Sequence, residues 1–474
     1  MSIKKNLISN FILSGATILF PVVIFPYVIR TLSTANYGRV AFVDAITQYF
    51  IIFSSIGIPY YGIREVAKKK DDPVECSRLS IELVIIQIGL SVIFSIVFLT
   101  LPIFVPKLRT ETPLIYMGCL YVLFNSFMIE WYYQGIEKFK FIAQRTIFIK
   151  VITAVLILCL VRTSKDYITY YSITVLSIML NGAVNFWYFL KNFYKRSNNK
   201  LNLSRHFKPL LVLFSMSFSV SVYTLFDSII LGMLKSPTDV SMYTVPLKFM
   251  KAFWMLGGAI GVVMISRISN LVANGDDEQV KELIKKSNSL VFLLTIPFAA
   301  MCQLCPKEIL NLLAGPQYVA SYNTLRILGF VPLIIGICNV LGTQFLLPIG
   351  KEKNIFYATI GGLLVSLTLN FALVPYLSYI GTSISCILAE LTVLTMVFLS
   401  ARKYVKIMVD YSLLLQILTS LLACIALYEV MSGYLKETYL LFSCFAVYCL
   451  TFLLTQVSIF KNPFINSVIR LKLK

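Results

Sequence analysis

The sequence predicts an all-α polytopic membrane protein of about fourteen transmembrane helices, arranged as two six-helix lobes plus two C-terminal helices. Of its 474 residues, 58% are hydrophobic and only 14% are charged, and the mean hydropathy is +0.81. A soluble protein of this size would carry about 25% charged residues. Apolar runs of about 20 residues, the length that a helix needs to cross a bilayer, recur along the chain. The predicted helices span residues 8–29, 40–62, 79–105, 113–134, 146–161, 167–190, 209–234, 240–265, 289–306, 321–347, 355–376, 381–400, 411–431 and 438–459.

The distribution of basic residues predicts the orientation of these helices. The net charge is +20, which in a soluble chain would indicate nucleic-acid binding. Here, however, thirty basic residues fall on one side of the predicted helices and nine on the other. Cytoplasmic loops of membrane proteins carry such an excess of lysine and arginine. The pattern therefore predicts that both termini are cytoplasmic, and it argues against a nucleic acid as a partner.

The longest polar connection, KNFYKRSNNKLNLSRHFK, follows the sixth predicted helix and divides the chain into two lobes. The outer turn LSTANYGR of the first lobe corresponds to LKSPTDVS of the second, and each precedes a helix with a charge near its start, Asp44 or Lys248. We expect a first lobe over residues 1–205, which includes the linker, a second over 206–408, and two further helices with a cytoplasmic tail over 409–474. Such a parallel repeat places the substrate site between the lobes.

Three charges lie inside the predicted seventh and eighth helices. At a rise of 1.5 Å per residue, Asp227 and Lys248 lie at similar depth, roughly 10 Å below the same surface, and can pair. Lys251 follows Lys248 by three positions, so the two lysines share one face. A charge at the centre of a membrane helix costs about 2.5–3.5 kcal/mol and normally faces the bundle interior or water. One interpretation is a buried pair that only joins two helices, with Lys251 snorkelling; the surplus cation favours instead a cavity that receives an anion. Arg30 closes the first helix on the outer side.

Acidic residues within the spans are candidates for ion coupling. Asp44, Glu130 and Glu390 fall within predicted helices, and Glu130 lies near the cytoplasmic end, where an interfacial carboxylate is the alternative interpretation. A carboxylate in a low-dielectric site can gain a proton or a cation. Asp44, Asp227 and Glu390 are therefore candidates for proton or sodium coupling, and Glu130 is a candidate lumenal acid. Glu82 lies close to a predicted helix end, and we expect it to be an exposed carboxylate.

The sequence contains no motif for ATP, a metal ion or another cofactor. A nucleotide-binding G-x-x-x-x-G-K-[ST] loop is absent, and no cluster of metal ligands appears. Cys302 and Cys305 have C-x-x-C spacing, but no second pair follows, and the only histidine, His206, lies in the basic linker. We interpret these cysteines as small buried hydrophobic residues. No cofactor is expected, which leaves a proton or sodium gradient as the energy source.

One inner segment, DDEQVKELIKKS, predicts an amphipathic helix start. Asp276 can cap this helix together with Gln279, three residues further on. Val280 begins an apolar edge that lies beneath the lysines of the segment. We expect this edge to rest on the cytoplasmic leaflet of the membrane.

Several segments resemble the Wzx family of bacterial polysaccharide flippases, which belongs to the multidrug/oligosaccharidyl-lipid/polysaccharide (MOP) superfamily and is related to the MurJ and MATE transporters. The similar segments are NYGRVAFVDAITQYF, GIPYYGIREVAKKKDD, WYYQGIEKFKFIAQRTIFIK, FDSIILGML, YTVPLKFMK and LPIGKEKNIFYATIGGLLVSLTLNFALVPYLSYIGTSISCILAEL. The resemblance covers nearly the whole chain, and QGIEKFK and REVAKKKDD are its more specific parts.

The resemblance implies a V-shaped bundle of two lobes in the bacterial inner membrane. It also implies movement of an undecaprenyl-diphosphate-linked oligosaccharide, such as an O-antigen unit, from the cytoplasmic to the periplasmic leaflet by ion-driven alternating access. Lys248, Lys251 and Arg30 match the cationic lumen of the family, and Asp227 matches its helix-seven aspartate. A polysaccharide polymerase or chain-length regulator is the protein partner that the family implies.

Two other functions remain open at this point. A MATE-like antiporter of drugs or other cations would need a net acidic cavity, whereas the charges of the seventh and eighth helices are positive in sum. A membrane polysaccharide polymerase or glycosyltransferase would need a sizeable outer loop or a carboxylate-rich metal motif, and the predicted outer loops are short. A diphosphate headgroup instead needs cations in a low-dielectric cavity, where lysine holds a moving ligand as a point charge.

Overall fold

The computed structural model describes residues 23–196, 200–273, 275–404, 410–434 and 437–458. Within these ranges the regular elements are helical. Nine helical segments of the described chain are long and apolar enough to cross a membrane, and two shorter apolar helices, Leu225–Leu234 and Tyr439–Phe452, accompany them. The prediction of a polytopic all-α membrane protein is therefore confirmed, while the count of fourteen helices stays a prediction.

The first part of the chain contains several broken helices. Residues 23–31 form the described part of α1. The next elements are α2 (Thr34–Ser55), α3 (Ile58–Lys68), α4 (Pro73–Phe104), α5 (Thr112–Asn125), α6 (Glu130–Gly135), α7 (Phe139–Leu160), α8 (Tyr167–Asn192) and α9 (Ser204–Leu234). The predicted helix 40–62 is broken between α2 and α3, because Ile56 and Gly57 have positive φ angles of 38° and 78°. The predicted helix 113–134 is likewise divided between α5 and α6.

The second part contains longer helices. Its elements are α10 (Pro237–Ala273), α11 (Asp277–Leu304), α12 (Pro306–Leu313), α13 (Tyr322–Leu328), α14 (Val331–Leu341), α15 (Glu352–Ala401), α16 (Tyr411–Met431) and α17 (Glu437–Ser458). The 50 residues of α15 include both predicted helices 355–376 and 381–400, and the non-helical backbone of Ser378 separates them. A five-residue π-helical segment, Gly342–Leu346, follows α14.

Side-chain caps define where three of these helices begin. The Ser33 hydroxyl accepts the backbone N–H of Asn36 at the start of α2, and Asp72 accepts two backbone N–H groups at the start of α4. Asp276 accepts the backbone N–H of Gln279 at 3.1 Å, and the Gln279 side chain also donates to Asp276. These contacts satisfy amides that have no partner inside the helix. The predicted start of the amphipathic segment is thereby confirmed. The expectation that its apolar edge rests on the membrane leaflet is wrong, because Val280, Leu283 and Ile284 are buried in the core of the second unit.

The chain forms two compact units. The first comprises Met1–Thr244 and Asn370–Ser378, and the second comprises Val245–Leu369 and Tyr379–Lys474. The boundaries that the sequence predicts, with lobes over 1–205 and 206–408 and a tail over 409–474, stay predictions.

The core of the first unit is rich in aromatic side chains. Trp131, Tyr132 and Tyr133 are at most 3% exposed and pack with Phe189. The rings of Tyr132 and Phe189 are 4.8 Å apart in an edge-to-face arrangement, which aromatic pairs prefer. This cluster joins α6 to α8 near one end of the unit.

Two apolar clusters lie among the described residues of the second unit. One lies between α10, α11, α14 and α15 and includes Ile284, Leu341 and Val397. The other lies between α11, α16 and α17 and includes Cys305. Cys302 and Cys305 are fully buried, in agreement with their interpretation as small hydrophobic residues.

Candidate functional site

Asp227 is a buried carboxylate with hydrogen-bond donors on both oxygens. Its Oδ2 accepts the Tyr243 hydroxyl at 2.9 Å, and its Oδ1 accepts the Asn370 amide at 2.7 Å. The side chain is 3% exposed, and α9, α10 and α15 each supply one of these residues. Both of these donors are neutral side chains. An ionised acid in such a place can receive a proton or a small cation.

Asp44 lies beside a group of tyrosine hydroxyls in the first unit. It is half-buried on α2 and acts electrostatically on the phenols of Tyr37, Tyr121 and Tyr171. The Gln48 amide donates to the Tyr121 hydroxyl at 3.3 Å. A carboxylate among neutral hydroxyls provides a second place where a proton or cation can be held.

The three cations that the sequence singles out are all exposed. Lys248 and Lys251 lie three residues apart on α10, and Arg30 lies on α1. Asp227 belongs to the first unit and Lys248 to the second, and the predicted pair between them stays a prediction.

Glu390 is a buried acid of the second unit. It lies on α15, is 5% exposed and acts electrostatically on the Cys338 thiol of α14. The sequence places it near the middle of a span, and the structure places it inside the unit. Its coupling role stays a prediction.

Glu130 pairs with an arginine that the sequence did not single out. The Arg145 guanidinium contacts the Glu130 carboxylate and donates to the Thr146 hydroxyl at 3.0 Å. Arg145 is 7% exposed, and its guanidinium lies 5.8 Å from the centre of the Phe141 ring. This pair favours a structural role for Glu130 over ion coupling. From the sequence alone, Arg145 could not be distinguished from the other basic residues near helix ends.

The prediction that Glu82 is exposed is wrong. Its carboxylate is fully buried and lies beneath the end of the basic linker. The Arg205 guanidinium donates to it at 2.5 Å, the His206 imidazole lies 2.7 Å away, and the Asn202 backbone N–H donates at 2.8 Å. Arg78, one turn before Glu82 on α4, adds a further contact at 3.3 Å. These hydrogen bonds anchor the linker to α4. They join residues that are more than a hundred positions apart in the sequence.

His206 connects this anchor to a third element. Its Nδ1 lies 2.9 Å from the Tyr61 hydroxyl of α3. His206 precedes the apolar run of α9, and burial lowers its pKa. The neutral imidazole can donate from Nε2 to Glu82 and accept the Tyr61 hydroxyl at Nδ1. The cluster therefore joins α3, α4 and the linker by directed hydrogen bonds.

The fold is similar to those of two solved membrane transporters. The chain is similar to "Lipid II flippase MurJ, inward closed conformation" with a TM-score of 0.70 and 15% identity, over 97% of this chain and 99% of that one. It is also similar to an inward-facing multidrug resistance MATE family transporter of the MOP superfamily, with a TM-score of 0.58 and 14% identity, over 82% and 93% of the two chains. These similarities establish the fold.

The chain belongs to the Polysaccharide biosynthesis protein family, which matches residues 3–272. The MatE family matches residues 213–372. The protein of Escherichia coli (strain K12) named "Putative O-antigen transporter" is 25% identical over 85% of this chain and 97% of its own length. A protein of the same name from Shigella dysenteriae is 25% identical over 82% and 98%. The predictions of a Wzx-type, MOP-superfamily membrane protein, and of a transporter rather than an enzyme, are confirmed by these findings.

Proposed function

We propose that the chain flips an oligosaccharide linked to undecaprenyl diphosphate, such as an O-antigen unit, from the cytoplasmic to the periplasmic leaflet of the bacterial inner membrane. The observation that carries the proposal is the similarity to the Escherichia coli protein named "Putative O-antigen transporter" over 97% of that protein's length. The fold shared with a protein named a lipid II flippase adds support, because that name also describes the flipping of a lipid-linked sugar. A polysaccharide polymerase or chain-length regulator is the partner that we propose.

Lys248 and Lys251 are the residues that we assign to the diphosphate headgroup, with Arg30 as a further cation. All three are exposed, and the spacing of the two lysines places both on one face of α10. Two opposite unit charges 4 Å apart attract each other by about 4 kcal/mol at an effective dielectric constant of 20. Lysine binds a phosphate as a point charge, so the headgroup can change position without losing a fixed two-pronged contact.

We assign ion coupling first to Asp227, and then to Asp44 and Glu390. Each Asp227 oxygen accepts a hydrogen bond, from Tyr243 or from Asn370. Protonation would turn one oxygen into a donor, so one of these two contacts would have to rearrange. Because the partners lie on α10 and α15, binding of a proton or sodium ion at Asp227 would change the hydrogen bonds that join three helices. This is the coupling that alternating access needs.

A cation antiporter of the MATE type is the second candidate function. It is favoured by the match of the MatE family over residues 213–372. The same segment contains Lys248 and Lys251, and two exposed lysines would repel a cationic drug. Efflux of a cationic dye from cells that express the chain separates this candidate from the flippase.

Deletion of the gene and complementation with variants test the flippase. We expect that Lys248→Ala abolishes surface glycan while the protein stays in the membrane, since the headgroup loses its main cation. Lys248→Arg should retain part of the activity because the charge remains. Surface glycan on gels and the lipid-linked glycan that accumulates inside are the two measurements.

Lys286→Ala is the matched control, because Lys286 is exposed and pairs with Glu282 on α11. It should display normal glycan. Normal display by Lys248→Ala would remove Lys248 from the headgroup site. Export of a cationic dye with no accumulated glycan in the deletion strain would instead support the antiporter.

A further inference from the structure

The second unit contains a cleft of about 210 Å³ that the proposed transport cycle does not use. It lies where the end of α10, the start of α11, the segment after α14 and the segment after α15 meet. Candidate membrane spans begin at Asp277 and Glu352 and end at Leu346 and Ala401. The cleft therefore lies at the boundary between the apolar part of the unit and the adjoining polar segments.

The walls of the cleft combine an apolar floor with two cations. Val280 and Phe345 are each 3% exposed, and Ile349 is half-buried beside them. Lys281 and Lys351 also line the cleft. A small inorganic anion would contact the lysines but not the apolar floor. An apolar molecule would contact the floor but not the lysines.

Local structure holds Lys351 at the cleft. A turn with Gly350 at φ 71° precedes it, and the Lys351 backbone N–H donates to the Leu346 carbonyl at 2.9 Å. The Lys351 ammonium lies 5.3 Å from the centre of the Tyr404 ring, within the range of a cation–π contact. Lys351 directly precedes α15, whose N-terminal amides also favour a negative charge.

Acidic residues limit the charge of the cleft without cancelling it. Lys281 donates to Glu278 at 2.6 Å, and the Glu278 carboxylate is 83% exposed on the outside of α11. Asp277 lies on the rim and is exposed. Lys351 is consequently the cation best placed for a ligand inside the cleft. A ligand with one negative headgroup and an apolar tail matches this arrangement.

We propose that this cleft binds an anionic phospholipid of the surrounding leaflet. The phosphate lies beside Lys351 and Lys281, and an acyl chain covers Phe345 and Ile349. The lipid then connects the start of α11 to the start of α15, two helices that otherwise begin at separate turns. This site lies apart from Lys248 and Asp227 in the chain, and it does not depend on the oligosaccharide as substrate.

Native mass spectrometry of the purified full-length protein tests the proposal. The probes are dioleoylphosphatidylglycerol, dioleoylphosphatidylcholine and inorganic phosphate. Lys351→Glu should weaken phosphatidylglycerol binding about tenfold or more. The variant loses a cation, which contributes about 1 kcal/mol near an anionic lipid, and adds an anion that repels the phosphate, and a loss of about 1.4 kcal/mol is tenfold. Lys353→Glu is the matched control, because it makes the same change of charge two residues further on. Lys353 is exposed and does not line the cleft.

A second pair of variants tests the contribution of the apolar floor and provides a milder change at Lys351 in case Lys351→Glu does not fold. Ile349→Asn should weaken phosphatidylglycerol binding while leaving the melting temperature of the lipid-free protein within a few degrees. Lys351→Gln, a milder change, should give a smaller loss than Lys351→Glu and decides the question if the latter does not fold. Equal binding of the two lipids, an equal loss in Lys353→Glu, or displacement of the lipid by inorganic phosphate would each overturn the proposal.

Discussion

At the scale of single residues, the sequence shows the charge of Asp227 but not the residues that hydrogen-bond to it. A carboxylate in an apolar run is visible from the sequence, whereas Asn370 lies 143 positions away. Hydrogen bonds to charged groups contribute about 1.5–3 kcal/mol each. The Tyr243 hydroxyl and the Asn370 amide therefore hold the Asp227 carboxylate in one position between three helices.

Asp227→Asn should reduce surface glycan about tenfold or more. The amide keeps the shape of the side chain but has no charge to bind a proton or sodium. A hydrogen bond to a charged group contributes about 1.5–3 kcal/mol, which sets the expected size of the effect. The measurement is glycan display in the deletion strain, normalised to the amount of protein in the membrane. Glu278→Gln serves as control, since Glu278 is 83% exposed. Wild-type display by Asp227→Asn would exclude Asp227 from coupling.

At the scale of elements, the two outer turns that mark the predicted repeat lie against each other. Gly38 in LSTANYGR packs on Pro237 in LKSPTDVS, and a Cβ at Gly38 would lie 1.7 Å from the Pro237 carbonyl oxygen. The Lys107 ammonium donates to the Lys235 carbonyl at 2.7 Å beside them. The helices α2 and α10 therefore start from one closely packed point within the first unit.

Gly38→Ala should lower the melting temperature of the purified protein, because the new methyl group forces backbone atoms apart at a cost of about 1–3 kcal/mol. Gly89→Ala is the control: nothing lies within 4 Å of a Cβ at that position of α4, and alanine favours the helix by about 1 kcal/mol over glycine. Thermal unfolding followed by intrinsic fluorescence measures both. A melting temperature for Gly38→Ala at or above the wild type would contradict the close packing.

At the scale of the whole molecule, exposed apolar side chains agree with a lipid environment. Ile93 and Ile96 on α4 are 57% and 58% exposed, and Phe104 at its end is 76% exposed. Exposed apolar surface of this extent marks a membrane contact in a chain with several apolar spans. The excess of basic residues on one side predicts the direction in which the spans cross.

Alkaline phosphatase fused after Lys165, in the connection between α7 and α8, should be active, because the charge distribution places that connection outside the cytoplasm. The same reporter fused after Lys351 should be inactive, since that position lies on the basic side. A fluorescent protein at the C-terminus should be bright for the same reason. Activity of the second fusion and inactivity of the first would reverse the proposed orientation.

From the sequence alone, the polytopic all-α class and the positions of the charges within apolar runs could be predicted, because hydropathy and charge are properties of consecutive residues. The breaks between α2 and α3 and between α5 and α6 could not. Helix ends were also predictable where a cap lies within three residues, as at Asp276. The three-dimensional structure was needed to show that Glu82 is buried beneath Arg205 and His206, that Arg145 pairs with Glu130, and that Lys351 lines a cleft with Phe345. These features depend on contacts between distant segments. Burial of a charge is set by those contacts and not by the neighbouring residues in the chain.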